Sequence, residues 1–343
     1  MKKVAKKAAK KKARVSDKEQ YLNLLDLRLV RDEPIEWFWF DKIPAGVISM
    51  LIGNAGSGKT FMSVYMAALV SRGSTWPDGF ESKKGSVLIL NCEDQPARLK
   101  ERLKCNNADI SMIKIIQSAN CKEEYINIPK HIAAISNTLQ NMPDCKLLII
   151  DPITDYLGTV NANSNSEVRE ALGLLSAVTS KLNITVLLAN HLNKKIDTDH
   201  IHRGLGSTAF TALSRSVWGL VRHGTGKDAI YTFAPVKTNY SINPTGHTFK
   251  IVDAVVKIDA EPYIGDMDNR EADRQYKRLD EAVAWLREEL AAGRMLSDTV
   301  ISEAKAAGYS RVLLTKAKSK IGIIAKKVGF GKDAPWYWVL KDV

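Results

Sequence analysis

The segment Gly53-Asn54-Ala55-Gly56-Ser57-Gly58-Lys59-Thr60, followed by Phe61, satisfies G-x-x-x-x-G-K-[ST] in full. Its glycines let successive backbone N–H groups curl round a β-phosphate. Lys59 can neutralise the β/γ oxygens, and Thr60 can ligate Mg²⁺. That chemistry needs a second carboxylate, and Lys146-Leu-Leu-Ile-Ile-Asp151 ends in one; Asp151 is expected to hold Mg²⁺ through water. Ser86–Glu93 ends in Glu93-Asp94. Glu93 is the candidate general base for a water attacking a γ-phosphate. Its alternative is a helix N-cap, a role Asp94 suits better. Asn190-His191 closes a further apolar run, where His191 reads either as structural or as a group that senses the terminal phosphate.

Strand-like runs are expected at Val47–Ile52, Val87–Asn91, Leu147–Ile150 and Thr185–Ala189, alternating with helical patterns near Thr60–Arg72, Ala97–Cys105, Ile128–Asn141 and Glu167–Leu182. Short buried strands separated by helices indicate an α/β fold with a mostly parallel twisted sheet, the carboxyl ends of whose strands collect ligands. Ser216–Val221 and Ala229–Val236 are expected to add an antiparallel edge, and Ser16–Arg31 a short helix. Trp37, Phe38, Trp39 and Phe40 form an aromatic knot, read as core packing with base stacking as the alternative.

The chain of 343 residues carries a formal charge of +12, unevenly placed. Residues 1–14 hold eight basic side chains and no acid, and residues 271–343 hold 14 basic against 10 acidic, which leaves the middle neutral. A cationic arm and a mildly basic end flanking a neutral core indicate an acidic polymer as partner, nucleic acid before membrane. The organisation expected is a basic arm over 1–20, an ATPase domain over 21–260, a linker over 261–275 and a small basic domain over 276–343. That last domain should be winged-helix-like, with helices near Arg278–Ala292, Ser297–Ala307 and Ser310–Ile321 and a strand at Trp336–Leu340. Four cysteines without C-x-x-C or metal-ligand spacing suggest reduced thiols in the cytoplasm, and no apolar run is long enough for a membrane span.

The phosphate loop, Glu93 with Arg102 nine residues on, the strand closing in Asp151 and His191 before a Gly/Ser-rich stretch together resemble the RecA-like hexameric ATPases. Within them, the plasmid replicative helicases of the RepA type and their phage relatives come nearest, over about Ile43 to Val252. The resemblance implies ATP and Mg²⁺ as ligands and an active site shared between subunits of a six-membered ring. Glu93 corresponds to the catalytic glutamate, Arg102 to the arginine that supports it and His191 to the γ-phosphate sensor. Arg215 in Ala212-Leu-Ser-Arg215-Ser-Val-Trp218 corresponds to the arginine finger, with Arg222 as its rival. Val236-Lys237-Thr238-Asn239-Tyr240 matches the lysine-containing strand end at Lys237, but Asn239 stands where many RecA-like motors have arginine. Gly158–Ser166 and Asn193–Ser207 correspond to pore loops, with Lys194, Lys195 and Arg203 expected to grip single-stranded DNA.

The reading that follows is an ATP-driven ring that moves along single-stranded DNA during replication of a plasmid, phage or other mobile element, alongside replication proteins. The alternative is a DNA-bound ATPase switch or loader that unwinds nothing. A small-molecule kinase is disfavoured, since no acceptor pocket or lid is evident and the charge layout favours nucleic acid.

Overall fold

A computed structural model of the chain describes residues 25–32, 34–119, 125–192, 208–265, 270–329 and 334–340, with side chains of the helix at 270 described from 278 onward. The basic arm and the three candidate DNA-contacting residues Lys194, Lys195 and Arg203 lie outside the described residues. The chain ahead of Ile35 forms a unit of its own. Residues 16–24 of the helix expected over Ser16–Arg31 lie outside the described residues; within the described part Leu27–Leu29 is a single 3₁₀ turn, in which the Asp26 carboxylate accepts from the Arg28 N–H. Leu25, Leu27 and Leu29 are exposed.

The larger unit opens with a two-stranded ribbon, β1 (Trp37–Trp39) and β2 (Ile43–Pro44). The chain then lays down β3 (Ile48–Gly53), α1 (Lys59–Arg72), β4 (Ser86–Asn91), α2 (Pro96–Cys105) and β5 (Ile113–Ile115). It continues through α3 (Ile128–Gln140), β6 (Cys145–Asp151), α4 (Asn165–Lys181), β7 (Thr185–His191) and α5 (Ala209–Leu213). β8 (Ser216–His223), β9 (Ile230–Thr238), β10 (Gly246–Val252) and β11 (Val255–Tyr263) complete one nine-stranded sheet of order β11-β10-β9-β8-β3-β7-β6-β4-β5. The strands from β8 to β5 run parallel. β8 therefore belongs to the parallel set, and the antiparallel edge begins one strand later than expected, at β9.

The fold follows from the strand composition. β3 is buried at every residue, as are all but the last residue of β4 and β7 and all but the second of β6. Val-, Ile- and Leu-rich runs with no polar face must be covered on both sides. One side packs on α3 and α4 through Ile135, Leu139, Leu172 and Leu175. The other packs on α1 and α2 and on an aromatic stack in which Trp39 lies 4.5 Å from Trp76 and 5.4 Å from Phe233, itself 4.4 Å from Trp218. The knot at 37–40 thus packs in the core at Phe38 and Trp39, while Phe40 remains exposed.

β10 and β11 were not expected from the sequence. Beyond them the helix α6 (Arg270–Glu289) begins eight residues before the expected Arg278. It is followed by β12 (Met295–Leu296), α7 (Ser297–Ala306), α8 (Arg311–Lys320), β13 (Ile324–Lys327) and β14 (Trp336–Val339). These strands form a separate sheet, β12-β14-β13. Ala282, Leu286, Val300, Ala304, Leu314, Ala317 and Trp338 build a core of their own. The small carboxy-terminal domain is thus three helices with a three-stranded sheet, the winged-helix-like layout.

Candidate active site

The phosphate loop leaves β3 at Gly53 and enters α1 at Lys59. A Cβ at Gly53 would stand 2.3 Å from Ser57 Oγ and 2.5 Å from the Leu220 carbonyl, so only glycine permits the turn to close against β8. Gly58 caps α1 at φ +91°, in the left-handed region open to glycine. The result is a helix N-terminus with its unpaired amides and positive dipole end facing a cleft of about 210 Å³.

Lys59, the first residue of α1, is buried; its Nζ donates to the carbonyls of Gly53 (2.9 Å) and Asn54 (3.1 Å) and lies 3.2 Å from His191 Nδ1. Parallel pairing sets this up, because Gly53 and His191 are register partners in β3 and β7. An ammonium only donates, so Nδ1 is the acceptor and the ring proton sits on Nε2. That nitrogen then donates to Glu93 Oε1 at 3.0 Å. Lys59, His191 and Glu93 are therefore one hydrogen-bonded relay joining three elements. Burial pushes the Lys59 pKa below the usual lysine range, against the opposing pull of Asp151 and Glu93.

Asp151 ends β6 as expected and is 1% exposed. Thr60 Oγ1 donates to its Oδ2 at 2.8 Å. Burial raises its pKa, with Glu93 adding to the rise while the Thr60 hydroxyl, Lys59 and His191 oppose it. Its Oδ1 is buried with no hydrogen-bond partner among the described residues. A buried carboxylate oxygen with no partner, beside a threonine hydroxyl at the mouth of an anion cradle, fits a hard divalent cation such as Mg²⁺.

Arg102 does line the cleft, yet it forms an ion pair with Asp94 rather than with Glu93, and its guanidinium sits 4.6 Å from the Phe61 ring centroid. Asp94 is accordingly no helix cap; Gln95 holds the N-cap position of α2, with Pro96 in the first turn. Tyr231 and Ile251 also line the cleft and were missed by the sequence reading. Tyr231, on β9 opposite Arg222 of β8, stacks on Phe249 at 5.1 Å and borders Gly58, while Ile251 reaches the cleft from β10.

The remaining candidates divide by sheet edge. Arg222 lies two residues past Leu220, the register partner of Gly53, and stands 5.9 Å from the Tyr231 ring, beside its own cleft. Arg215 precedes β8 at the opposite end: its N–H donates to the Ile48 carbonyl (2.9 Å), and its carbonyl accepts from Asn239 (3.0 Å). Its side chain is exposed, and five strand residues put its backbone roughly 16 Å from the level of Gly53. Lys237 shares that end. Its Nζ donates to the carbonyls of Thr211 (2.9 Å), Ala212 (3.2 Å) and Ser214 (2.9 Å), closing the carboxyl end of α5. Burial and the neighbouring Arg215 both lower its pKa.

A family model described as "AAA domain" matches residues 16–197. Among solved structures, the crystal structure of the RadB recombinase aligns with a TM-score of 0.46 and 17% sequence identity, covering 62% of this chain and 91% of that chain. Among the described residues, no helix is long and apolar enough to cross a membrane.

Proposed function

The chain belongs to the AAA domain family of P-loop ATPases, and from that premise we propose that it is an ATP-hydrolysing ring that translocates on single-stranded DNA in the replication of a plasmid, phage or other mobile element. In this reading the loop amides of 53–60 and Lys59 bind the phosphates. Lys59 has all three of its donors engaged, so a triphosphate that takes one of them frees His191 Nδ1. Glu93 then orients the attacking water and accepts its proton, while His191, still bonded to Glu93, registers whether the terminal phosphate is present. Thr60 and Asp151 would hold Mg²⁺, which would neutralise phosphate charge there. His191 ends the strand that leads into 193–207, where Lys194, Lys195 and Arg203 are proposed to grip DNA phosphates.

The observation that carries the shared-site reading is the position of Arg215, exposed at the sheet edge opposite its own phosphate loop. An arginine there cannot serve its own nucleotide, whereas a neighbour's nucleotide docked on that edge would meet it. Arg222, beside its own cleft, is the weaker candidate for a finger. Mixing Arg215→Ala subunits with Glu93→Gln subunits tests this: interfaces pairing an intact finger with an intact base should recover hydrolysis, and mixed rings that recover nothing would overturn the shared site. Mass in solution with and without nucleotide supplies the companion measurement, since a strict monomer excludes a trans arginine.

The second reading, a DNA-bound switch or loader, is favoured by the small carboxy-terminal domain, an element that a motor gripping DNA through its centre does not require. Strand displacement on a forked duplex separates the two. Single-strand-stimulated hydrolysis without unwinding supports the switch.

A further inference from the structure

The α7–α8 pair has a face that the ATPase does not use. α7 ends at Ala306 and α8 begins at Arg311, joined by a four-residue turn containing Gly308 at φ +85°. A short glycine-containing turn between two packed helices is the helix-turn-helix connection. In such pairs the second helix enters the major groove with its first turns against base edges.

α8 buries Leu314 and Ala317 in the domain core. Opposite them Arg311, Val312, Thr315, Lys316 and Ser319 are exposed and fall on one helical stripe. The helix carries no acidic residue. Two of its cations are held internally: Lys318 lies 4.3 Å over the Trp338 ring, and Lys320 pairs with Asp280 at 2.8 Å. Arg311 and Lys316 are therefore the cations on the outward stripe, and Lys326 on β13 is exposed beside it in the sequence that builds the hairpin with β14.

The composition of the stripe distinguishes a reader from a tether. A surface that only neutralises phosphates gains nothing from a valine 68% exposed in the first turn, or from small hydroxyl residues between the cations. Base edges match each of these: arginine pairs bidentately with guanine, an apolar group contacts the thymine methyl, and threonine or serine accepts or donates to either partner. The geometry points to base-specific recognition of duplex DNA by α8 in the major groove, with the β13–β14 hairpin against the adjacent backbone. This inference goes beyond the ATPase reading and stands whether that ATPase is a motor or a switch.

The test uses the full chain and a pool of duplexes with a randomised core. Repeated selection should enrich a short shared motif. On the selected duplex, Arg311→Lys should lose roughly tenfold or more of the preference over a scrambled duplex while binding the scrambled one as before, because lysine keeps the charge and loses the bidentate fork. Thr315→Ala should narrow the preference at one position, and Lys316→Ala should weaken both duplexes alike. ATP turnover without DNA should be unchanged in all three. A pool that enriches no motif would overturn the proposal. So would a motif that Arg311→Lys and Thr315→Ala read as well as the parent chain, or variants whose loss falls on single strands instead of duplex.

Discussion

The two ends of the parallel strands are built on opposite terms. At the carboxyl ends, side chains of the chain meet one another: Lys59 bonds His191, which bonds Glu93, Thr60 bonds Asp151, and Arg102 pairs with Asp94, leaving Asp151 Oδ1 open. At the amino ends, Arg215 and Lys237 are neighbours of like charge, and Lys237 is held by carbonyl oxygens rather than by a carboxylate. The first end holds its phosphate loop and acids in place within one chain. Among the described residues no carboxylate pairs with Arg215 or Lys237, so this end gathers positive charge that an external anion would complement. The contrast is between a phosphate cradle organised within one chain and an end of the same strands where two cations lie together.

The sharpest way to break this contrast is Arg215→Ala. Loss of a trans arginine should lower kcat by roughly 10³- to 10⁵-fold while nucleotide affinity, measured by fluorescent-nucleotide titration, stays within a few-fold. If affinity falls with kcat, the arginine serves its own site and the two ends are not distinct. Glu93→Gln comes next, with a loss in kcat of roughly 10²- to 10⁴-fold. Because glutamine can still accept from His191 Nε2–H, nucleotide should bind normally. Normal turnover would leave the relay without a catalytic role.

Lys237→Met probes the amino end more gently. It removes three donors to the carbonyls of Thr211, Ala212 and Ser214, so the segment carrying Arg215 should loosen and kcat should fall roughly tenfold, with KM for ATP unchanged. A loss as large as that of Arg215→Ala would mean that Lys237 itself reaches a neighbouring nucleotide, and the carbonyl-capping account would fail.

The carboxyl end was largely legible in the sequence, since a glycine-rich loop, an apolar strand before it and an acid closing a neighbouring strand are local signals. The partners were not. That Asp94 rather than Glu93 holds Arg102 depends on how α2 leaves the sheet. Ile251 joins the cleft because β10 exists, and β10 and β11 turn on Asp253 and Ala254, both at positive φ (49° and 63°). Such a turn ordinarily advertises itself as Asn-Gly or Asp-Gly. Here the support comes from Asn106 at the end of α2, which donates to the Ala254 carbonyl (2.8 Å) and accepts from the Val256 N–H (3.0 Å). A hairpin stabilised by a side chain 148 residues away leaves no local trace.

Between the two ends lies the aromatic stack, and its stability tests whether they move as one body. His247 on β10 is 3% exposed and stacks 5.5 Å from Trp39, and neither ring nitrogen has a hydrogen-bond partner among the described residues. Burial above all, with Lys42 nearby, pushes its pKa down to about 4, against an opposing pull from Asp78. The unfolded imidazole takes up a proton below about pH 6.5, while the buried one does so only near 4. Between those values the unfolded chain binds more protons, so stability present above pH 6.5 is lost as the pH falls toward 4, by about 3 kcal/mol at most. Urea midpoints over that range should shift steeply in the parent chain and less steeply in His247→Phe. Equal slopes would show that the sheet between the two ends opens to water before His247 titrates, and that the ends are joined less rigidly than their shared strands require.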